Sequence, residues 1–361
     1  MGDNLIAEST EFLIRQENPE CEVYHKELFL RWKYQRGLSK YLALLLTILR
    51  VVTERYKMYA AAEWLFSLQH TGYYKKAMRE ADCVIVTSGM LKYNSQAHAY
   101  MYAAVCRVAE QMAKPLLLNA KSVQVGNSMD LRYEMVCRAL HRKGVFINTR
   151  DGEDAVKILK KDYGVERLAY VGDPALWAKE MSGAAQMTQG ERVIGINLIR
   201  PSIYQDYGQG IPSERIVQLY KDLLRLLNEK GYKWKLFCNG MRDDYALITE
   251  ICPGGCTENL KITPPHSVQE FIQTITSFDV IIGFRLHACI TAVALDVPVV
   301  GMIWDDKSRY FAKSMEISHF FVEPDQLEAN HIVDLVTERL ATPCDYSAKE
   351  RLKENSKRPK V

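Results

Sequence analysis

The sequence predicts an α/β protein of two doubly wound parallel-sheet domains facing each other across a cleft, and three observations predict it. Short runs rich in Val, Ile and Leu alternate with longer stretches of helical period, the pattern of parallel βαβ units. The runs fall into two series, separated by a small, polar, weakly periodic stretch, AKEMSGAAQMTQGE (178–191), that reads as a linker. At 361 residues and 48% hydrophobic content, the chain is long enough to build two cores.

The first series of strands is CEVYH (21–25), CVIVT (83–87), PLLLNA (115–120), VFINT (145–149) and RLAYVG (167–172). The second is RVIGINL (192–198), KWKLFC (233–238), a weaker LKIT (260–263), DVIIG (279–283) and PVVGMIW (298–304). Between them lie helical segments such as SERIVQLYKDLLRLLNEKG (213–231), with Ser213 as N-cap and Gly231 as its close. The domains are therefore expected at 1–177 and 192–325, and a helix with a basic tail (326–361) is expected to cross back onto the first. MGDNLIAESTEFLIRQ enters a helix at once, with Asp3 or Asn4 placed to cap it. A doubly wound domain more often opens on a strand, so either this one starts on a helix or a strand precedes Met1. YLALLLTILRVV, from Tyr41, is broken by Arg50 and falls short of the ~20 apolar residues that span a bilayer. It reads as a core helix, with an interfacial, membrane-facing helix as the alternative.

Charge and cysteine usage exclude several classes. Net charge is +3, and the last fourteen residues hold six Lys/Arg against two Glu, so the rest of the chain is slightly acidic. That is not the balance of a nucleic-acid-binding protein. The tail reads as a solvated terminus, with contact to an anionic membrane surface as the alternative. Nine scattered cysteines with no signal peptide before them are expected to be reduced, in a cytoplasmic protein. Cys252 and Cys256 form the one close pair, without the partners of a zinc site. No metal is expected.

One stretch does not fit a plain core. GFRLHACITAVALDVPVVGMIWDDK (283–307) sets Arg285, His287 and Lys307 in an apolar run. Burying such groups costs several kcal/mol unless they are paired. As a strand, a turn at FRLH, a helix and a returning strand, it brings Arg285 and His287 to the carboxyl end of one strand and Lys307 just past the end of the next. That edge is where open α/β sheets bind ligands, and a helix N-terminus there favours an anion. The alternative is structural, with Arg285 paired to Asp279, Asp305 or Asp306 and His287 satisfied in the core.

DVIIGFRLHACITAVALDVPVVGMIWDDK closely resembles the R-L-H segment of the polysaccharide pyruvyl transferase family, whose members pair it with a lysine. ADCVIVTSGMLKYNSQ (81–96) resembles the family's strand and Gly-rich turn, INTRDGEDAVKIL (147–159) its R-D segment, VGDPAL (171–176) its D-P turn, and PPHSVQEFIQTI (264–275) its lead-in to the R-L-H strand. MGDNLIAES is similar to its G-D helix start. The sequence departs from the family at Ser88, where a glycine is usual, and in starting at Met1 without the usual preceding strand and Gly/Asn turn.

The resemblance implies two Rossmann-like domains in a GT-B-like arrangement, the first on the acceptor side and the second carrying the donor site. It implies transfer of a pyruvyl group from phosphoenolpyruvate to two hydroxyls of one sugar, as a cyclic ketal, in exopolysaccharide or capsule biosynthesis. Phosphoenolpyruvate is then a co-substrate, no other cofactor is needed, and the acceptor is a sugar or a lipid-linked oligosaccharide, handled in the cytoplasm or at the inner face of the membrane. Arg285, Lys307 and Arg150 are the candidate donor-binding cations. His287 is the candidate acid/base, because histidine's unperturbed pKa of ~6.5 suits a group that gives and takes a proton. Arg200, Asn239, Gly240, Ser88 and Gly89 are smaller candidates for the cleft. Asp151 and Asp173 are expected to fix turns or pair with arginines, and His266 has no assigned role. Two alternatives stay open: a glycosyltransferase using a nucleotide sugar, and a non-catalytic or truncated member that binds a partner in polysaccharide assembly.

Overall fold

The computed structural model describes residues 1–29, 37–87, 89–94, 97–166, 168–184, 192–252, 262–342 and 345–357. The chain forms two units: Glu20–Val171, and Met1–Pro19 together with Gly172–Arg358.

The first unit carries β1 (Val84–Val86), β2 (Met90–Leu91), β3 (Leu116–Val123), β4 (Val145–Thr149) and β5 (Leu168–Tyr170). They form a parallel sheet in the order β1-β3-β4-β5, with β2 pairing the far end of β3. The second unit carries β6 (Val193–Asn197), β7 (Lys233–Phe237), β8 (Val280–Gly283), β9 (Val299–Met302) and β10 (Phe321–Val322), all parallel, in the order β10-β9-β8-β6-β7. β8 and β9 are buried at every position, as Val/Ile runs covered by helices on both faces should be. Gly283 ends β8 because a Cβ there would lie 2.4 Å from the Cys289 sulfur, so glycine lets the next helix close on its own strand.

Several expectations are corrected. The opening helix α1 (Gly2–Glu17) exists, but Met1 holds its cap position without a side-chain cap, and Asp3 sits in the first turn instead. α1 and residues 172–177 group with the second unit, which differs from a boundary at 177. The terminal helix Ser347–Lys357 packs on Pro174–Trp177, so the stretch it reaches is part of its own unit. CEVYH forms no strand: its few apolar side chains alternate with exposed polar ones, and Tyr24 points into solvent. Of LKIT, Leu260 and Lys261 lie outside the described residues, and Ile262 and Thr263 are not a strand. Pro212 rather than Ser213 holds the N-cap position of Ser213–Glu229. Six described cysteines are free thiols but Cys252 is disulfide-bonded, against the expectation of reduced thiols throughout; Cys256 lies outside the described residues.

The largest correction concerns α2 (Leu38–Arg55), which packs on α3 (Tyr59–Met78) in the first unit. Expected in the core, it fully buries only Ala43 and exposes Leu38, Leu42, Leu45 and Leu49, while Leu44 and Leu46 are half-buried. No described helix is long and apolar enough to cross a membrane.

Candidate active site

In the second sheet, the chain leaves β6 for β7 on one side and crosses to β8 on the other. The carboxyl ends of β6 and β8 therefore flank the switch point where ligands enter such sheets. Asn197, the last residue of β6, is fully buried there. Its side-chain oxygen accepts the Arg285 N–H at 2.8 Å, and its amide nitrogen donates to the Asn239 side chain at 2.9 Å. The turn after β8 is thus fastened to the ends of β6 and β7. Arg285 is the N-cap residue of Leu286–Ala294, a helix with no side-chain cap among the described residues.

Three basic side chains stand at this edge, each faced by a buried carboxylate. Arg285 donates to Asp244 through Nε at 2.9 Å and Nη2 at 2.6 Å, and Asp244 also accepts the Arg200 N–H at 2.9 Å. The His287 Nε2 lies 3.9 Å from the Asp173 carboxylate, longer than a direct hydrogen bond but within strong electrostatic reach. Asp173 meanwhile accepts the Ala175 N–H at 2.9 Å and so caps the turn Pro174–Trp177. Lys307 lies 3.0 Å from Asp305, which caps the helix Asp306–Ser314 by accepting from the Ser308 N–H. In each pair the base is the more exposed partner: 15% against 0% for Arg285–Asp244, 19% against 5% for His287–Asp173, and 19% against 6% for Lys307–Asp305. The carboxylates hold the bases from behind.

Two packing details fix the arrangement. Trp304 donates to the Phe284 carbonyl at 2.6 Å, tying the turn that carries Lys307 to the one that carries Arg285 and His287. The Lys307 ammonium lies 5.8 Å from the centre of the same indole ring. On the other side, α1 brings Gly2 against the imidazole, where a Cβ would lie 2.6 Å from His287 Cγ and Nδ1. Any larger residue at position 2 displaces that ring.

The structure thus brings together Arg285, His287 and Lys307, as the strand-helix-strand reading requires, and adds Asn239 through Asn197. Arg285 is paired, but with Asp244 rather than the three aspartates considered. Gly240 follows in a left-handed turn (φ +85°). Arg200 directs its guanidinium to Ser202 and Asp206. Asp173 fixes a turn as expected and also faces His287. His266 gives its backbone N–H to Glu270. Arg150 and Gly89 belong to the first unit, Arg150 after β4 and Gly89 in a left-handed turn (φ +77°) before β2. Ser88 lies outside the described residues. Asp244 and Asn197 are site residues that sequence reasoning missed: neither stands in a pattern that marks it, and Asp244 meets its partner across 41 residues of chain. Among the described residues, no cluster of three His, Cys, Asp or Glu side chains is placed to hold a metal ion.

Two Rossmann-like parallel α/β units define the GT-B-like class. Solved structures share that fold at low identity. UDP-GlcNAc 2-epimerase from Methanocaldococcus jannaschii aligns with a TM-score of 0.54 at 12% identity, over 81% of this chain and 80% of the other. The S. aureus MnaA–UDP structure aligns at 0.50 and 13% identity, over 81% and 78%. No curated protein matches the sequence. Residues 1–306 match the family described as polysaccharide pyruvyl transferase, and the chain belongs to that family.

Proposed function

We propose that the protein transfers the pyruvyl group of phosphoenolpyruvate to two hydroxyls of one sugar, forming a cyclic ketal and releasing phosphate, in the synthesis of an exopolysaccharide or capsule. The observation that supports this most is the row of three basic side chains presented from one sheet edge, each backed by a buried carboxylate. The donor carries a phosphate and a carboxylate, which Lys307 and the uncapped helix start at Arg285 suit. Arg285, half committed to Asp244, fixes the turn and offers its remaining N–H groups. No metal or further cofactor enters this scheme.

His287 does the proton work. With the imidazole neutral, the six ionisable groups of the three pairs sum to one negative charge; with it protonated they sum to zero. An anionic donor therefore favours the imidazolium, the form that can act as acid. The imidazolium gives its proton to the donor's methylene carbon, which becomes the methyl group, and leaves cationic character at C2. A sugar hydroxyl adds there and its proton returns to His287. The C2–O bond to phosphate then breaks, the second hydroxyl closes the ring at C2, and its proton leaves with the phosphate. Asp173 steadies the ring whenever it is charged.

The test is phosphate release from phosphoenolpyruvate by the purified chain across a panel of free and lipid-linked sugars, with mass analysis of the product. Ketal formation that depends on His287 supports the reading. Thermal protection by nucleotide sugars but not by phosphoenolpyruvate would favour the glycosyltransferase alternative, and a folded chain inert with every donor would favour the non-catalytic one.

A further inference from the structure

α2 is amphipathic the wrong way round for a helix that serves a core. At 100° per residue, Tyr41, Leu42, Leu45, Ile48, Leu49 and Val52 fall within an arc of about 120°, and all six are between 42% and 69% exposed. The inward side carries polar groups beside Ala43 and the half-buried Leu44 and Leu46. Ala43 is buried, Thr47 donates to the Ala43 carbonyl at 2.7 Å, and Arg50 pairs with Glu54 at 3.2 Å, which in turn meets Arg132 of a neighbouring helix at 3.4 Å. The helix is therefore held in place through a mixed polar and apolar inward side, and its eighteen residues present a leucine-rich ridge roughly 27 Å long to the outside. α3 adds exposed Trp64 and Leu68. A continuous apolar surface of this kind on a folded chain marks a contact.

The charges around it select the partner. On α2 and the turn after it, the exposed ionic side chains are Arg55 and Lys57, both basic, because Glu54 is turned inward to Arg50 and Arg132. Tyr41, Tyr56 and Trp64 are exposed aromatics with a polar tip, the side chains that suit the boundary between headgroups and acyl chains. An anionic bilayer meets both features, since leucines enter the acyl boundary while the cations meet the headgroups.

We infer that the α2 ridge of the first unit, centred on Leu45 and Leu49 and flanked by Arg55 and Lys57, docks the protein in the plane of a bilayer surface that carries anionic lipids. The ridge holds the protein on the surface without spanning it. The inference stands apart from the donor chemistry proposed above, because it uses none of those residues.

The test is co-sedimentation of the full chain with vesicles of phosphatidylcholine alone or mixed with phosphatidylglycerol. The wild type should bind the mixed vesicles about tenfold or more tightly than the neutral ones, from two favourable cation contacts. Leu45→Glu/Leu49→Glu should reduce binding to the mixed vesicles by about tenfold or more, with an unchanged circular dichroism spectrum, since each buried leucine contributes on that order. Arg55→Glu/Lys57→Glu, which leaves the ridge intact, should remove the preference for anionic lipid. Failure of the wild type to bind mixed vesicles overturns the inference, as does a folded Leu45→Glu/Leu49→Glu protein that binds like wild type. A concentration-dependent dimer dispersed by that double substitution, with no vesicle binding, would assign the ridge to a second copy instead.

Discussion

Both sheets end in buried aspartates, and the two edges use them differently. In the first unit, Asp151 follows β4 and is 5% exposed; its oxygens accept from the Ser122 hydroxyl and the Val123 N–H, both at 3.1 Å. These donors are neutral, and they stitch β3 to the turn after β4. In the second unit, Asp244, Asp173 and Asp305 also take backbone N–H bonds, but each faces a base that points outward. A carboxylate fastened by the backbone and turned toward a cation or an imidazole holds a charged tip in a fixed place. The Ser122 and Val123 donors to Asp151 hold the chain itself.

If that contrast is right, removing Asp244 should have the largest consequence. Asp244→Ala leaves Arg285, only 15% exposed, without its bidentate partner and frees the Arg200 N–H. Breaking one side of such a buried pair costs about 3–5 kcal/mol. Urea unfolding of the second unit should show a loss of that order, and a shift below about 1 kcal/mol would mean that the pair does not hold the turn.

His287→Asn keeps the packing against Gly2 in outline while removing a group that can take and give a proton. Turnover should fall by about 10²-fold or more with the fold intact. Near-normal turnover in a folded His287→Asn protein would end the acid/base assignment and leave the edge as an anion site alone.

Asp173→Asn separates holding from chemistry at the same edge. The Ala175 N–H can still be accepted by the amide oxygen, so the turn should survive. The negative charge 3.9 Å from the imidazole is lost, so turnover should drop by about tenfold with little change in the KM for phosphoenolpyruvate. A folded Asp173→Asn protein with turnover near the wild type would make Asp173 purely structural.

How far the sequence reveals all this follows the same division between local and long-range causes. β8, β9 and the turn between Gly283 and His287 are legible because a Val/Ile run, a glycine and a helical period occur in a row, and the returning strand puts Lys307 beside them. The carboxylate partners are not legible. Asp244 stands among Arg242, Asp243 and Tyr245, and only the fold selects it for Arg285. Asn197 ends a strand whose neighbours across the sheet are known only after the strand order is. α2 shows a third case: its period gives the apolar ridge, but period does not say which side turns inward. The inward side is the one on which Glu54 meets Arg132, a contact between residues 78 positions apart. CEVYH alternates like a strand yet has too little apolar surface to bury, so tertiary context overrides a weak local pattern.

The smallest expected effect lies on the first unit's edge. Asp151→Asn replaces an oxygen by an N–H₂ group that must face either the Ser122 hydroxyl or the Val123 N–H. The hydroxyl can rotate to accept, while the backbone donor keeps the amide oxygen, so about one hydrogen bond is weakened, at a cost of about 1 kcal/mol. Thermal unfolding should fall by a few degrees, and the dependence of turnover on phosphoenolpyruvate concentration should stay as in the wild type. A folded Asp151→Asn protein that lost turnover by as much as Asp173→Asn would erase the contrast, because the aspartate that accepts from Ser122 and Val123 would then be acting on the reaction as strongly as the one that faces His287.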